Sequence, residues 1–446
     1  MQKPNKHYNG LPVNGVQGVP CTVNECLILL KTSQLENHRI SKINGNQLTM
    51  KTNNNNYEIL LNQGYTQLNA GHFADAIKSY DQALRINPND HLSWYNRGNA
   101  LGELGHLNEA IQSYDKTLQI KPKYHLAWNN RGIALRKLGR HIGALESYDK
   151  ALRIKPNDHR TWYNRGLALY NLCHYDAAKK SYDKAIKINS KDHQTWNNRG
   201  LTLYQLGQFS EAIKNYDKAL QLKPDNHTVW NNRGLALEKS GLMTEAIESY
   251  DNALQLNPDY YIAWNNRGLS FDALSKYEQA IESYNNALQI QPDYHEAWNN
   301  RGLTLYNMRR PGEALENYDK ALQLWPNLHQ AWYNRGNALD DLGFPVEAIE
   351  NYDKVLQIKP DSVEAWNNRG AVLEQLGHYE QAIECYDQVL QIKPDFHEVW
   401  NNRGVALSNL GQFEEAIPNF DKALQLSPDY EIAQNNRDLA SKKLGN

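Results

Sequence analysis

From Tyr57 onward, apolar and small side chains recur at helical spacing in alternating blocks. In one stretch Trp128, Gly132, Leu135 and Leu138 fall on one helix face, and Ala144, Leu145, Tyr148, Ala151, Leu152 and Ile154 follow on another. That spacing predicts two helices, the second strongly amphipathic. They join at Gly139, where glycine takes the left-handed conformation that closes a helix, and Pro156 stops the second helix. Pro311 and Pro345 stand just after the same turn in their own blocks. A first helical residue has no intrahelical partner for its N–H, so both prolines mark a helix start. Pro418 falls about a turn further in and is expected to cost a hydrogen bond or kink its helix.

The helix pair repeats. Trp94, Trp128, Trp162, Trp196, Trp230, Trp264, Trp298, Trp332, Trp366 and Trp400 are each 34 residues apart. A fixed period of this size is the signature of stacked supersecondary units, each of which buries its apolar face only against its neighbours. Alignment on the tryptophan gives eleven units, from 57–90 through 397–430, and a half unit over 431–446. In that half unit Gln434 replaces Trp, Asp438 replaces Gly and Ser441 replaces Leu, which suits a polar cap on the last layer. Residues 1–56 do not fit the repeat; their Asn- and Gly-rich composition, with Asn53-Asn54-Asn55-Asn56, predicts disorder. Met50, just ahead of the array, is a candidate start of the chain that N-terminal sequencing would decide.

Trp94, Gly98, Ala110, Tyr114, Thr117 and Pro122 carry the pattern further. The alanine recurs in all eleven units from Ala76 to Ala416, the glycine in all eleven from Gly64 to Gly404, and the proline fails once, at Ser190. This resembles the tetratricopeptide repeat over residues 57–446, and the Trp-x-Asn-Arg-Gly wording looks like its bacterial variety. The resemblance implies an all-α, right-handed α-solenoid superhelix of helix-turn-helix repeats whose first helices line the inner face. Small Gly and Ala let helices approach closely, and Trp and Tyr fill the space between units, so the tryptophans are expected in the core.

Twelve asparagines share the period: Asn62, Asn96, Asn130, Asn164, Asn198, Asn232, Asn266, Asn300, Asn334, Asn368, Asn402 and Asn436. A similar asparagine ladder lines the inner groove of the repeat region of O-GlcNAc transferase and grips peptide backbone there. A carboxamide offers both donor and acceptor, so it can pair with any peptide group. The twelve are therefore the candidate peptide-binding residues; the competing role is local bonding that fixes helix packing. Eleven arginines follow them, from Arg97 to Arg437, where the family usually has an apolar residue. Aspartates recur on the second helices from Asp81 to Asp421, with Asn285 the one exception. The first unit has Gln63 in place of Arg, and the terminal half unit has Arg437 but no second helix. Each Arg is thus expected to pair with the Asp of the preceding unit, as Arg97 with Asp81, leaving only Arg301 opposite a neutral Asn285. Histidines at 91, 125, 159, 193, 227, 295, 329 and 397 are expected in the first turn of each first helix after an Asp or Asn cap such as Asp225 or Asp293. Repeat-to-repeat spacing of about 10 Å is too wide for one metal ion to bridge.

Lys+Arg and Asp+Glu nearly cancel, 48 against 50, so nothing demands a polyanionic partner. The longest apolar run near the start, Cys26-Leu27-Ile28-Leu29-Leu30, is too short for a membrane span. Of four cysteines, Cys173 and Cys385 stand isolated in different repeats, which suits reduced thiols in a cytoplasmic protein, and Cys21 and Cys26 have no further Cys or His at ligand spacing to complete a metal site. No phosphate loop, nucleophile elbow or zinc spacing is present, so neither an enzyme nor a cofactor or metal site is expected. The reading is a protein-interaction scaffold that holds a peptide or partner protein along the Asn-lined inner face, with no membrane insertion. The alternative is a repeat-coded single-stranded RNA binder, against which stand the even charge and the Arg–Asp pairing. Partner choice is assigned to positions that vary one turn beyond the asparagines: Arg136 and Lys137, Tyr170 and Asn171, Tyr204 and Gln205, Glu238 and Lys239, Asp272, Tyr306 and Asn307, Asp340 and Asp341, and Glu374 and Gln375. The carboxylate clamp by which some relatives hold chaperone tails needs paired Lys and Arg; Asn129, Asn197 and Asn231 stand there instead.

Overall fold

The computed structural model describes residues 48–445, which form 23 helices and no strand. The chain divides into two compact units, the first ending at Leu256 and the second beginning at Asn257. Within the first, six helix pairs follow one another, from Leu48–Asn69 with Phe73–Ile86 to His227–Lys239 with Met243–Leu256. Within the second, five pairs run from Tyr261–Ala273 with Tyr277–Ile290 to His397–Asn409 with Phe413–Leu426, and Glu431–Leu444 closes it. The architecture is an all-α solenoid of helix-turn-helix repeats. The first helix begins at Leu48, ahead of the repeat boundary at 57; the rest of the segment expected to be disordered, with Cys21 and Cys26, lies outside the described residues.

Close packing inside each pair follows from glycine. A Cβ at Gly132 would lie 2.5 Å from the Tyr148 ring, and one at Gly200 would lie 2.6 Å from that of Tyr216. The aromatic ring of the second helix thus rests directly on first-helix backbone. Those rings are the largest fully buried side chains: Tyr80, Tyr148, Tyr182, Tyr216, Tyr250, Tyr284, Tyr318, Tyr352, Tyr386 and Phe420. Each such burial contributes roughly 2–3 kcal/mol.

The turn between paired helices has one geometry. At Gly139 (φ 73°) the backbone is left-handed, the Gly139 N–H donates to Arg136 O at 2.9 Å and Arg140 N–H to Leu135 O at 2.9 Å. Cys173, Ser275 and Arg309 occupy the same place with φ of 58°, 58° and 62°. They keep the same bonds, for example Arg310 N–H to Leu305 O at 3.0 Å, despite their side chains. The second helix runs through Pro418 from Phe413 to Leu426, and Pro311 and Pro345 open theirs.

The tryptophans are half-buried and have a second task. Every one of the ten donates its indole Nε1 to the carbonyl six residues earlier, as Trp162 to Pro156 O at 2.8 Å and Trp196 to Ser190 O at 2.9 Å. The indole pins the turn that enters its repeat. A backbone carbonyl accepts, so Ser190 serves as well as proline. The eight periodic histidines are the first residues of their helices. The expected caps shift by one residue: Asn226, not Asp225, accepts from Val229 N–H, and Tyr294, not Asp293, holds the cap position without a side-chain bond. The closing helix keeps Ile432, Leu439 and Leu444 exposed among its polar residues.

Candidate functional site

Three sets of first-helix side chains matter, and helical angle separates them. The first is the arginine, three residues after the tryptophan. Arg97 Nε donates to Asp81 Oδ1 at 2.6 Å and Arg131 Nε to Asp115 Oδ1 at 2.7 Å; the same pairing joins Arg165 to Asp149, Arg233 to Asp217 and Arg369 to Asp353. Arg437 pairs with Asp421, so the terminal half unit takes its carboxylate from the preceding repeat, as expected. Arg301 instead donates to Asn285 Oδ1 at 2.6 Å and Asn317 Oδ1 at 2.7 Å, and burial lowers its pKa. The arginine has a further partner that sequence reasoning missed. Arg97 Nη1 donates to Ser113 Oγ at 2.8 Å, Arg199 to Asn215 at 2.9 Å, and Arg369 reaches Cys385 Sγ at 3.0 Å. One guanidinium therefore ties three helices together. The signal was the Ser/Asn/Cys position recurring every 34 residues from Ser113 to Asn419.

The second set is the twelve asparagines, two residues after the tryptophan. Asn130, Asn164, Asn198, Asn232, Asn266 and Asn300 are 1–7% exposed. Asn96, Asn334, Asn368, Asn402 and Asn436 are half-buried, and only Asn62 is exposed. Eight of them donate Nδ2 to the side chain 35 residues earlier: Asn164 to Asn129 at 3.1 Å, Asn198 to the Tyr163 hydroxyl at 2.9 Å, Asn300 to Asn265 at 3.0 Å, Asn436 to Asn401 at 2.9 Å, and Asn130, Asn232, Asn334 and Asn368 likewise. These eight amide donors are spent on the contact between repeats, where they form an inter-repeat ladder. The reason is angular: one residue on a helix turns the side chain by about 100°, and this position faces the neighbouring layer.

The third set lies eight and nine residues after the tryptophan. In the first unit it runs Gly102, Arg136, Tyr170, Tyr204 and Glu238; in the second, Asp272, Tyr306, Asp340, Glu374 and Ser408. Here the repeats differ. Tyr250 donates its hydroxyl to Glu238 Oε2 at 3.1 Å, Tyr386 to Glu374 Oε2 at 3.0 Å, and Thr304 to Asp272 Oδ1 at 2.9 Å. Burial raises the pKa of all three carboxyls. It also pushes Tyr204 up to about 12, with the nearby Glu238 charge adding to the effect. Tyr306 donates to Asp341 of the next repeat, and Tyr170 packs edge-on to Tyr175 at 5.4 Å.

Among the described residues no group of His, Cys, Asp and Glu could hold a metal ion, and no helix is long and apolar enough to cross a membrane. Burial lowers the pKa of His125, His159, His227 and His329. Cys173 is exposed and Cys385 buried, both free.

Family models described as "Tetratricopeptide repeat" match 125–158, 159–192, 227–260, 295–328, 363–396 and 397–430, with others of that description at 61–125 and 181–214. A model described as "TPR repeat" matches 200–241, 271–308 and 347–377. No curated protein matches the sequence. Among solved structures, YrrB, "a TPR protein with an unusual peptide-binding site", is 23% identical over 41% of this chain and 95% of its own, with a TM-score of 0.37. Yeast Tom70 is 16% identical over 87% and 96%, with a TM-score of 0.42. A tetratricopeptide repeat protein from Parabacteroides merdae is 22% identical over 56% and 99%, with a TM-score of 0.44. The matched repeats, taken with the glycine-on-aromatic-ring packing found in every pair, place the chain in the tetratricopeptide repeat family.

Proposed function

We propose that this chain is a non-catalytic scaffold that binds an extended segment of a partner protein along the face of its first helices. The supporting observation is a division of labour within one helix. The positions two and three residues after the tryptophan are constant and spent on neighbouring repeats. The positions eight and nine after it change from repeat to repeat, from Arg136 and Lys137 through Tyr170 and Tyr204 to Asp340 and Asp341. Recognition of a particular chain needs positions that differ along the surface, and only the second set supplies them. The RNA reading loses its main attraction, because the arginines that would meet phosphate are paired with aspartates.

Affinity capture with the full chain tests this. Arg136→Ala combined with Tyr170→Ala should change which proteins are retained, while Arg233→Ala in the constant set should leave the retained proteins unchanged. Identical capture by both variants and the parent would move the binding surface elsewhere.

A further inference from the structure

We infer that each unit carries a cleft between consecutive second helices that takes a lysine side chain of a partner protein, one over Trp230 in the sixth repeat and one over Trp366 in the tenth. None of the variable first-helix positions lines these clefts, so the assignment goes beyond the scaffold reading. The third repeat shows what such a cleft holds. There Lys150, on the second helix, places Nζ 4.3 Å from the centroid of the Trp128 ring. An ammonium within about 6 Å of an indole face is held by the ring quadrupole. Lysine recurs at this position from Lys116 to Lys422; among the repeats that carry the tryptophan, only Asn252, Asn286 and Gln388 replace it.

At Asn252 and Gln388 the structure has open clefts of about 420 and 610 Å³. Asp217, Gln221, Trp230, Arg233 and Glu248 wall the first, and Asp353, Gln357, Trp366, Arg369 and Glu384 the second. Position for position, these are the residue types of Asp115, Gln119, Trp128, Arg131 and Glu146 in the third repeat. The geometry agrees as well. The guanidinium lies 5.8 Å from the indole centroid in the third and sixth repeats and 5.9 Å in the tenth. Its aspartate holds it there at 2.7, 2.6 and 2.7 Å, so it does not move into the lysine's place. On the preceding second helix Lys116, Lys218 and Lys354 each bond the cleft's glutamine, at 3.2, 2.6 and 3.3 Å. The surroundings that accommodate Lys150 are therefore reproduced in both clefts.

The exchange of lysine for a carboxamide alters the charge. The third repeat sets Asp115 and Glu146 against Arg131 and Lys150; the sixth and tenth keep both carboxylates and the arginine alone. A lysine from a partner restores the balance, with its stem along Leu220 or Leu356 and its ammonium on the half-buried indole. The seventh repeat differs. Beside Asn286, Arg267 stands 5.4 Å from the Trp264 ring and 4.7 Å from Phe271, a ring where the neighbouring repeats have Leu237 and Leu305. Its guanidinium is drawn off the position shared by the other three, and no lysine site is assigned there.

Titration of the full chain with a dodecapeptide of alternating Lys and Ser, followed by two-dimensional NMR of the indole N–H groups, tests the assignment. Single Trp→Phe variants identify the signals of Trp128, Trp230 and Trp366. Those of Trp230 and Trp366 should shift and saturate, while that of Trp128, already under Lys150, stays in place. A peptide of alternating Gln and Ser should bind at least about threefold more weakly, the scale of one exposed cation–π contact. Asn252→Lys with Gln388→Lys should abolish both shifts, and Lys150→Asn should bring Trp128 into the shifting set. Each variant installs a residue type that other repeats carry at this position, so the fold is kept. Shifts in none of the three, a Trp128 shift in the parent as large as the others, equal affinity for the two peptides, or shifts that survive the double lysine variant would each overturn the clefts.

Discussion

Two sets of positions on the same first helices behave in opposite ways. Arg165 and Asn164 have counterparts in every interior repeat and spend their polar groups on neighbouring helices. Tyr170, one to two turns further along, has Arg136 before it and Tyr204 after it, and the set ends in Asp340, Glu374 and Ser408. A stack needs each layer to meet the next in one register, which constant positions provide. Recognition needs a surface that changes along its length. The chain meets both demands by separating them by angle and height on one helix.

The comparison breaks most severely where the constant frame is tightest. Gly200→Ala places a Cβ 2.6 Å from the Tyr216 ring and should lose about 2–3 kcal/mol through overpacking, read from denaturant unfolding. Asn300→Ala leaves the buried Asn265 carbonyl without its 3.0 Å donor and should lose about 1–3 kcal/mol. A loss under about 0.5 kcal/mol would return the asparagines to a role in recognition.

Smaller effects sharpen the same contrast. Arg309 holds a left-handed backbone at φ 62° where most repeats have glycine. Arg309→Gly should therefore raise stability by about 0.5–1 kcal/mol, net of the entropy glycine adds to the unfolded chain. Asp217→Asn reproduces the neutral pairing that Arg301 already makes with Asn285. Since Asp217 is half exposed, the loss should stay below about 1 kcal/mol.

Glu374 in the variable set gives a pH signature. Burial raises its pKa, so the folded chain holds that proton more tightly than the unfolded one. Stability then falls as pH rises through the raised value. Glu374→Gln should stabilise the chain near neutral pH. The gain should vanish below the ordinary Glu pKa of about 4.3, where both states are protonated. Unfolding curves at the two pH values check it, and a gain that persists in acid would assign the effect to packing.

Much of this was legible in the sequence, for reasons that also explain the gaps. The pairing of Arg97 with Asp81 followed from the array's ends, because Gln63 and Arg437 leave one arrangement that strands no charge. The turn at Gly139 followed from glycine's left-handed freedom. The donor ladder among the asparagines was not legible, because a period identifies positions without fixing which way each side chain points. Asn164 and Asn129 are 35 residues apart, on the first helices of consecutive repeats, and are bonded to each other between the two layers.

The separation of frame from reader is tested most directly by importing the acidic stripe of the second unit into the first, as Arg136→Glu with Tyr170→Asp, and measuring both the unfolding midpoint and the proteins captured. The account predicts a nearly unchanged midpoint and a different set of captured proteins. An unchanged set, with the variant folded, would contradict it.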